Sequence, residues 1–215
     1  MGISVRERKL RKELVEAGRW LHRQGFVAAT AGNLSVRLDH RRVLTTPTGC
    51  SKARLAPQDL VVVDMQGNRL AGRRKASSET DMHLTIYRQR PDVNGVVHAH
   101  PPTATGFAAA GVALQDPILA EVVVVLGDVP LARYATPGSP ELSRALEPLV
   151  AHRNAVLMAN HGVVTLGKDL WEALFHMETV EHYARITLVT KLLGSQVLLS
   201  KANLKKLKNL RPAMS

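Results

Sequence analysis

The sequence predicts an α/β fold, a three-layer α/β/α single domain around a largely antiparallel central sheet. Three observations carry that expectation. Helical periodicity marks the outer parts of the chain, short β-rich runs fill its middle, and several of these runs are joined by hairpin-length links. A length of 215 residues suits one core better than two, and 45% hydrophobic with 22% charged residues is the balance of a globular protein. Aromatics supply only 4%, so the core must be built mainly from Val, Leu and Ala.

The elements follow in order. Leu10, Leu14, Ala17 and Leu21 recur at helical spacing over 5–24, and Gly25 ends the helix. AATAGNLSVRLD is a Gly/Asn turn entering an alternating strand, and RRVLTTPTGCSKARL is a second strand followed by a Pro-Gly loop. DLVVVDMQGNRL is a hairpin turning at Gln66-Gly67-Asn68. SSETDMHLTIYRQRPD is a capped helix stopped before Pro91. VNGVVHAH is a buried strand, and PTATGFAAAG a small-residue helix ended by Gly111. AEVVVVLGDVPLARYA supplies one or two strands around Gly127-Asp128. SPELSRALEPLVAHR opens a helix with Ser139 as cap, Pro140 at its first position and Glu141 in its first turn. NAVLMANHG is a strand ending at His161-Gly162, and DLWEALFHMETVEHYARITLVTKLL is the longest helix, capped by Asp169.

The formal net charge is +11, concentrated in the terminal segments and in GRRK (72–75). No aromatic platform, zinc finger or helix-turn-helix accompanies that charge, so solvated basic faces or an anionic small substrate explain it better than nucleic acid. The single cysteine, Cys50, suits a reducing compartment. No run approaches the roughly 18 apolar residues of a membrane span, and the N-terminal MGISVRERKLRKEL has no apolar segment behind it. A cytoplasmic protein with no membrane and no nucleic-acid partner is expected.

His98 and His100 lie two apart at the end of an apolar run, so on a strand both imidazoles project from one face. Such a pair supplies two nitrogen ligands compactly, or merely caps a strand. His161, at a second strand end, and Glu79, opening a helix, complete a three-histidine and carboxylate set. A carboxylate that leaves the metal can then act as a base. His176 and His182 are six apart and share a helix face poorly, H-E-x-x-H is absent, and His22, His40, His83 and His152 have no supporting context. Three small clusters, TAGN (30–33), TPTG (46–49) and SSE (77–79), offer hydroxyls and backbone N–H groups of the kind that bind phosphate, or are plain turns and an N-cap.

Taken in order, TAGNLS, LTTPTG, SSE, HAH, YATPG and NHG resemble the class II aldolase/adducin family, and within it the zinc aldolases of the L-fuculose-1-phosphate type. The likeness spans roughly residues 8 to 195, giving a family-like domain over 1–200 and a basic C-terminal tail over 201–215. It implies Zn2+ on His98, His100 and His161, with Glu79 as resting ligand and then as general acid/base. It implies a substrate phosphate among Gly32, Asn33, Thr48, Gly49, Ser77 and Ser78. It also implies a homotetramer with active sites at subunit boundaries. The reaction implied is cleavage of a ketose 1-phosphate to dihydroxyacetone phosphate and an aldehyde.

The chain departs from that pattern at the second acid/base. The family aldolase uses a tyrosine after the H-x-H helix, where this chain reads PILAEVVVVLGDVP, and Glu121 is the best-placed substitute. Its tail also lacks the family's C-terminal tyrosine, and Tyr134 and Tyr183 belong to other motifs. The alternative on the same site is methylthioribulose-1-phosphate dehydration, with Glu79 and Glu121 as the acid/base pair. The family's ribulose-phosphate 4-epimerases carry Asp where Glu79 stands, and an adducin-like interaction module would have lost the metal ligands.

Overall fold

In the computed structural model, residues 3–210 are described. The chain runs through α1 (Val5–Arg23), β1 (Asn33–Arg37), β2 (Arg42–Thr45), β3 (Val61–Asp64), β4 (Arg69–Ala71), α2 (Thr80–Gln89), β5 (Gly95–Ala99) and α3 (Pro102–Ala109). It continues through α4 (Ala120–Val125), β6 (Leu131–Ala132), α5 (Pro140–Val150), β7 (Ala155–Met158), β8 (Gly162–Gly167), α6 (Leu170–Leu192) and α7 (Lys201–Leu210).

The strands form one sheet in the order β4-β3-β2-β1-β5-β8-β7-β6. Every neighbouring pair is antiparallel except β6 and β7. The α/β/α layering with a mostly antiparallel sheet is therefore as expected. Side chains alternate across the strands, so Val97 and Val163 pack with Leu14, Phe107 and Leu174 of α1, α3 and α6. Val96 and Val164 pack on the other face with Ile86, Tyr87 and Leu146 of α2 and α5. Both faces are covered, which is why β5 is buried along its whole length.

Short-range contacts set the ends of several elements. Ser4 Oγ accepts the Glu7 N–H at 3.1 Å to cap α1, and Gly25 beyond its end has φ +72°. The β3–β4 turn closes on Asp64, whose carboxylate accepts the backbone N–H groups of Gln66 and Asn68 at 2.9 and 2.8 Å. Asp169 accepts the Glu172 N–H at 2.8 Å and caps α6.

Two readings need correction. Ala120–Val125 is the helix α4 rather than a strand. Its valines favour strands, but Val122 and Val123 reach the core as α4 packs on α6 and α7, and burial outweighs propensity. NAVLMANHG is not one strand: β7 ends at Met158, Asn160 turns the chain with φ +56°, and Gly162 opens β8. His161 thus sits in the turn between two strands. Of the basic segment 201–215, residues 201–210 form α7, and 211–215 lie outside the described residues. No helix among the described residues is long and apolar enough to cross a membrane.

Candidate metal centre

β5 delivers His98 on the face that carries Val96, and His100 follows one residue past the strand. The His100 N–H donates to Phe26 O at 2.8 Å, and Pro101-Pro102 then start α3. The first free amides of α3, on Thr103 and Ala104, donate to the buried Glu181 carboxylate at 3.2 and 2.9 Å. His161 enters from the β7–β8 turn, with its N–H donating to Met158 O at 3.0 Å. Gly162 must follow it: a Cβ there would lie 2.6 Å from both Ala99 O and His100 Cδ2.

The three imidazoles converge, with candidate ligand atoms all within 4.8 Å of one another. His98 Nε2 lies 3.0 Å from His100 Nε2 and 3.4 Å from Glu79 Oε2, while His161 Nε2 lies 3.2 Å from Glu79 Oε1. His98 Nδ1 meets Val163 O at 2.8 Å. Only a protonated nitrogen can pair with a carbonyl, so Nε2 carries the lone pair turned toward its neighbours. Burial, reinforced by the neighbouring imidazoles, holds His98 well below its ordinary value and lowers His100. Burial also lowers His161, against the attraction of Glu79. The imidazoles are thus neutral at pH 7, the form that ligates metal.

Glu79 occupies the N-cap of α2. Its two oxygens differ: Oε2 accepts from Asn33 Nδ2 at 2.8 Å, whereas Oε1 is buried with no hydrogen-bond partner. His98 Nε2 turns a lone pair toward the space beside that orphaned oxygen, and three imidazole nitrogens with one carboxylate are a donor set that suits a divalent cation such as zinc.

The expected phosphate motifs also meet. Thr48 N donates to Lys75 O at 3.1 Å and Ser77 N to Thr46 O at 3.2 Å, which joins the TPTG loop to the segment before α2. Ser77 Oγ accepts the Glu79 N–H at 3.3 Å. Ser78 is exposed beside the YATPG turn, where a Cβ on Gly138 would lie 3.1 Å from Ser78 O. Gly49 has open space on its Cβ side, whereas a Cβ on Gly32 would lie 2.8 Å from His98 O. Asn33 pairs with His98 in the β1–β5 register, and both ends of its amide are engaged, by Glu79 and by His83 Nε2 at 2.5 Å. Glu121 stands exposed in the first turn of α4 and shares no hydrogen bond or ion pair with the cluster.

Two residues passed over above belong to this neighbourhood. Lys52, 1% exposed, donates to Thr30 O at 2.8 Å and Cys50 O at 3.1 Å, tying the TAGN and TPTG loops together. Burial pushes its ammonium down to about 8, against the opposing pull of Cys50 and Glu79. His83 is the other, and its spacing of four from Glu79 on α2 was the available signal.

The sequence profile described as Class II Aldolase and Adducin N-terminal domain matches residues 12–188. The chain is 38% identical over 180 residues, 81% of its length and 85% of the relative's, to a 3-oxo-tetronate 4-phosphate decarboxylase of Haemophilus influenzae. It is 37% identical over 182 residues, 79% of its length and 88% of the relative's, to a methylthioribulose-1-phosphate dehydratase of Methylococcus capsulatus. Among solved structures, an L-fuculose 1-phosphate aldolase superposes with a TM-score of 0.88 at 32% identity, covering 96% of each chain. Three similar proteins therefore carry the names of three reactions.

Proposed function

The chain belongs to the class II aldolase and adducin family, and from that premise we propose a metal-dependent lyase that cleaves a ketose 1-phosphate of the L-fuculose-1-phosphate kind to dihydroxyacetone phosphate and an aldehyde. The observation that supports it is the differentiated carboxylate of Glu79, held at Oε2 and unpartnered at Oε1 among His98, His100 and His161.

A divalent ion, zinc by the donor set, held by His98, His100, His161 and at rest Glu79, supplies Lewis acidity for the negative charge that develops on the substrate. The protein's own groups handle the protons. Glu79 Oε1 delivers a proton to C3 as the C3–C4 pair is released, and removes it in the direction of aldol addition. Asn33 keeps Oε2 occupied, so the exchange falls to Oε1. Gly32, Thr48, Gly49, Ser77 and Ser78 surround the phosphate in this reading, with the Asn33 backbone. The Lys52 ammonium adds positive charge beneath both loops. Glu121 takes the proton of the C4 hydroxyl from a neighbouring copy in a homotetramer. The division into a 1–200 domain and a basic tail, and a cytoplasmic location, belong to the same proposal.

A second reading is favoured by one specific observation. No tyrosine stands in the segment after α3, and Glu121 does not join the cluster within one chain. Loss of carbon dioxide from a 3-oxo acid phosphate needs no base on a departing oxygen, whereas aldol cleavage does. Dehydration of methylthioribulose 1-phosphate needs the second acid/base as well.

The test is a panel of fuculose 1-phosphate, 5-deoxyribulose 1-phosphate, methylthioribulose 1-phosphate and 3-oxo-tetronate 4-phosphate, each with and without chelator. Chelator-sensitive dihydroxyacetone phosphate together with an aldehyde, from one of the ketose 1-phosphates, is the expected result. Turnover of the 3-oxo acid only, to carbon dioxide and dihydroxyacetone phosphate, or water loss only, moves the assignment to decarboxylase or dehydratase, and no turnover by folded, zinc-loaded protein overturns all three.

A further inference from the structure

We propose that His83, although it never meets substrate, is a positioning residue for Glu79, acting through Asn33 as part of a buried one-way hydrogen-bond chain. The proposal rests on the reading of Glu79 as the proton carrier. Five side chains form the chain, from Tyr87 through Ser35, His83 and Asn33 to Glu79. Tyr87 Oη lies 2.9 Å from Ser35 Oγ, Ser35 Oγ 2.7 Å from His83 Nδ1, His83 Nε2 2.5 Å from Asn33 Oδ1, and Asn33 Nδ2 2.8 Å from Glu79 Oε2. All five are buried.

The direction of every bond follows from the last one. An ionised carboxylate only accepts, so Asn33 must turn its NH2 toward Glu79 and its carbonyl oxygen toward His83. His83 Nε2 must then carry the proton, which leaves Nδ1 as an acceptor and obliges the Ser35 hydroxyl to donate to it. Ser35 Oγ in turn accepts from the Tyr87 hydroxyl. The imidazole is neutral, since burial, with the nearby His98, pushes it down to about 3. Each group therefore has one available role, and the amide of Asn33 cannot flip without facing oxygen with oxygen.

The placement is a product of the fold. Asn33 and Ser35 are two apart on β1 and share the face that meets α2, while Glu79, His83 and Tyr87 recur every four residues along one side of α2. The chain thus stitches the helix that carries the base to the strand that pairs with His98. Its effect is to keep Oε2 engaged and Oε1 free, a geometric task in which a displacement near 1 Å is enough to cost rate.

The experiment compares His83→Leu, which can neither accept nor donate, with His83→Gln, whose amide can do both. The readouts are kcat and KM in the metal-loaded enzyme and 15N imidazole spectra of the unsubstituted protein. The expected result is a kcat lower by about 10–100-fold for H83L at little changed KM, with most of it regained in H83Q, the range seen for groups that orient metal-site ligands. The spectra are expected to show His83 as the Nε2–H tautomer, uncharged from pH 8 to 5. Equal kcat in both variants and the parent, or an Nδ1–H tautomer, overturns the proposal. Glu79→Gln separates the two ideas: full activity there defeats the reading of Glu79, while the tautomer still reports on the chain itself.

Discussion

A Cβ on Gly162 would lie 2.6 Å from Cδ2 of His100, closer than real Cβ contacts come. The glycine of the N-H-G motif therefore makes room for a ring contributed by the H-x-H motif, across two strands paired at Ala99 and Val163. Gly162→Ala should push the His100 ring or split the β5–β8 pair, and weaken metal binding about tenfold or more. Competition against a coloured chelator measures it. Gly106, in the exposed interior of α3 with nothing within 4 Å of its Cβ position, is the control. Its change to Ala should stabilise the protein by about 0.5–1 kcal/mol and leave metal affinity alone.

The buried histidines make the metal-free protein sensitive to mild acid. His98 and His83 are held below the ordinary histidine value by burial and neighbouring imidazoles, His83 at about 3. Above about pH 6.5 neither the folded nor the unfolded chain protonates them. Below it the unfolded chain takes up protons that the folded chain refuses, so stability is full above 6.5 and falls as pH falls. For His83 the loss continues toward pH 3. Each fully excluded imidazole contributes about 1.4 kcal/mol per pH unit in that window. Denaturant midpoints at pH 7, 6 and 5 should fall steadily, and a midpoint flat from 7 to 5 would contradict the neutral assignment.

Most of the architecture was legible because helical and alternating apolar periods report burial directly: α1, the β3–β4 hairpin and α6 appear where their caps and turns place them. α4 was not, because four consecutive valines carry a strand preference that only packing against α6 and α7 overrides. The convergence of His98, His100 and His161 was readable from H-x-H and N-H-G. What the residues at TAGN do was less so: Asn33 looks like a phosphate ligand in sequence, yet its amide is held between Glu79 and His83. His83 and Lys52 escaped because their roles depend on partners far away in the chain, which a linear pattern does not display.

Lys52 should titrate well below an ordinary lysine. Two of its three N–H groups serve Thr30 O and Cys50 O, and burial pushes it down to about 8. In NMR spectra with labelled lysine, one ε-carbon should have its midpoint near 8, and Lys52→Met should delete that resonance. Affinity for a simple phosphate monoester, whose second ionisation lies about pH 6 and is nearly complete by about pH 7.5, should fall as pH rises from there to about 9.5 in the parent and stay flat in K52M. A flat profile in both would mean that Lys52 only ties the loops.

The two proton transfers of an aldolase can be separated experimentally. Glu79 exchanges a proton at carbon, whereas Glu121, exposed on α4 and apart from the cluster in one chain, is proposed to act on the departing hydroxyl. Exchange of the C3 proton of dihydroxyacetone phosphate with solvent needs only the first group, and cleavage of a ketose 1-phosphate needs both. Glu121→Gln should therefore lower cleavage by about 10²–10⁴-fold, the ordinary worth of a general base, while exchange continues near the parent rate. Glu79→Gln should abolish both. If E121Q cleaves at the parent rate, another group takes the hydroxyl proton. If the parent and E121Q release carbon dioxide from 3-oxo-tetronate 4-phosphate at equal rates while neither yields dihydroxyacetone phosphate from a ketose 1-phosphate, the chemistry is decarboxylation, because that bond breaks with no hydroxyl to deprotonate.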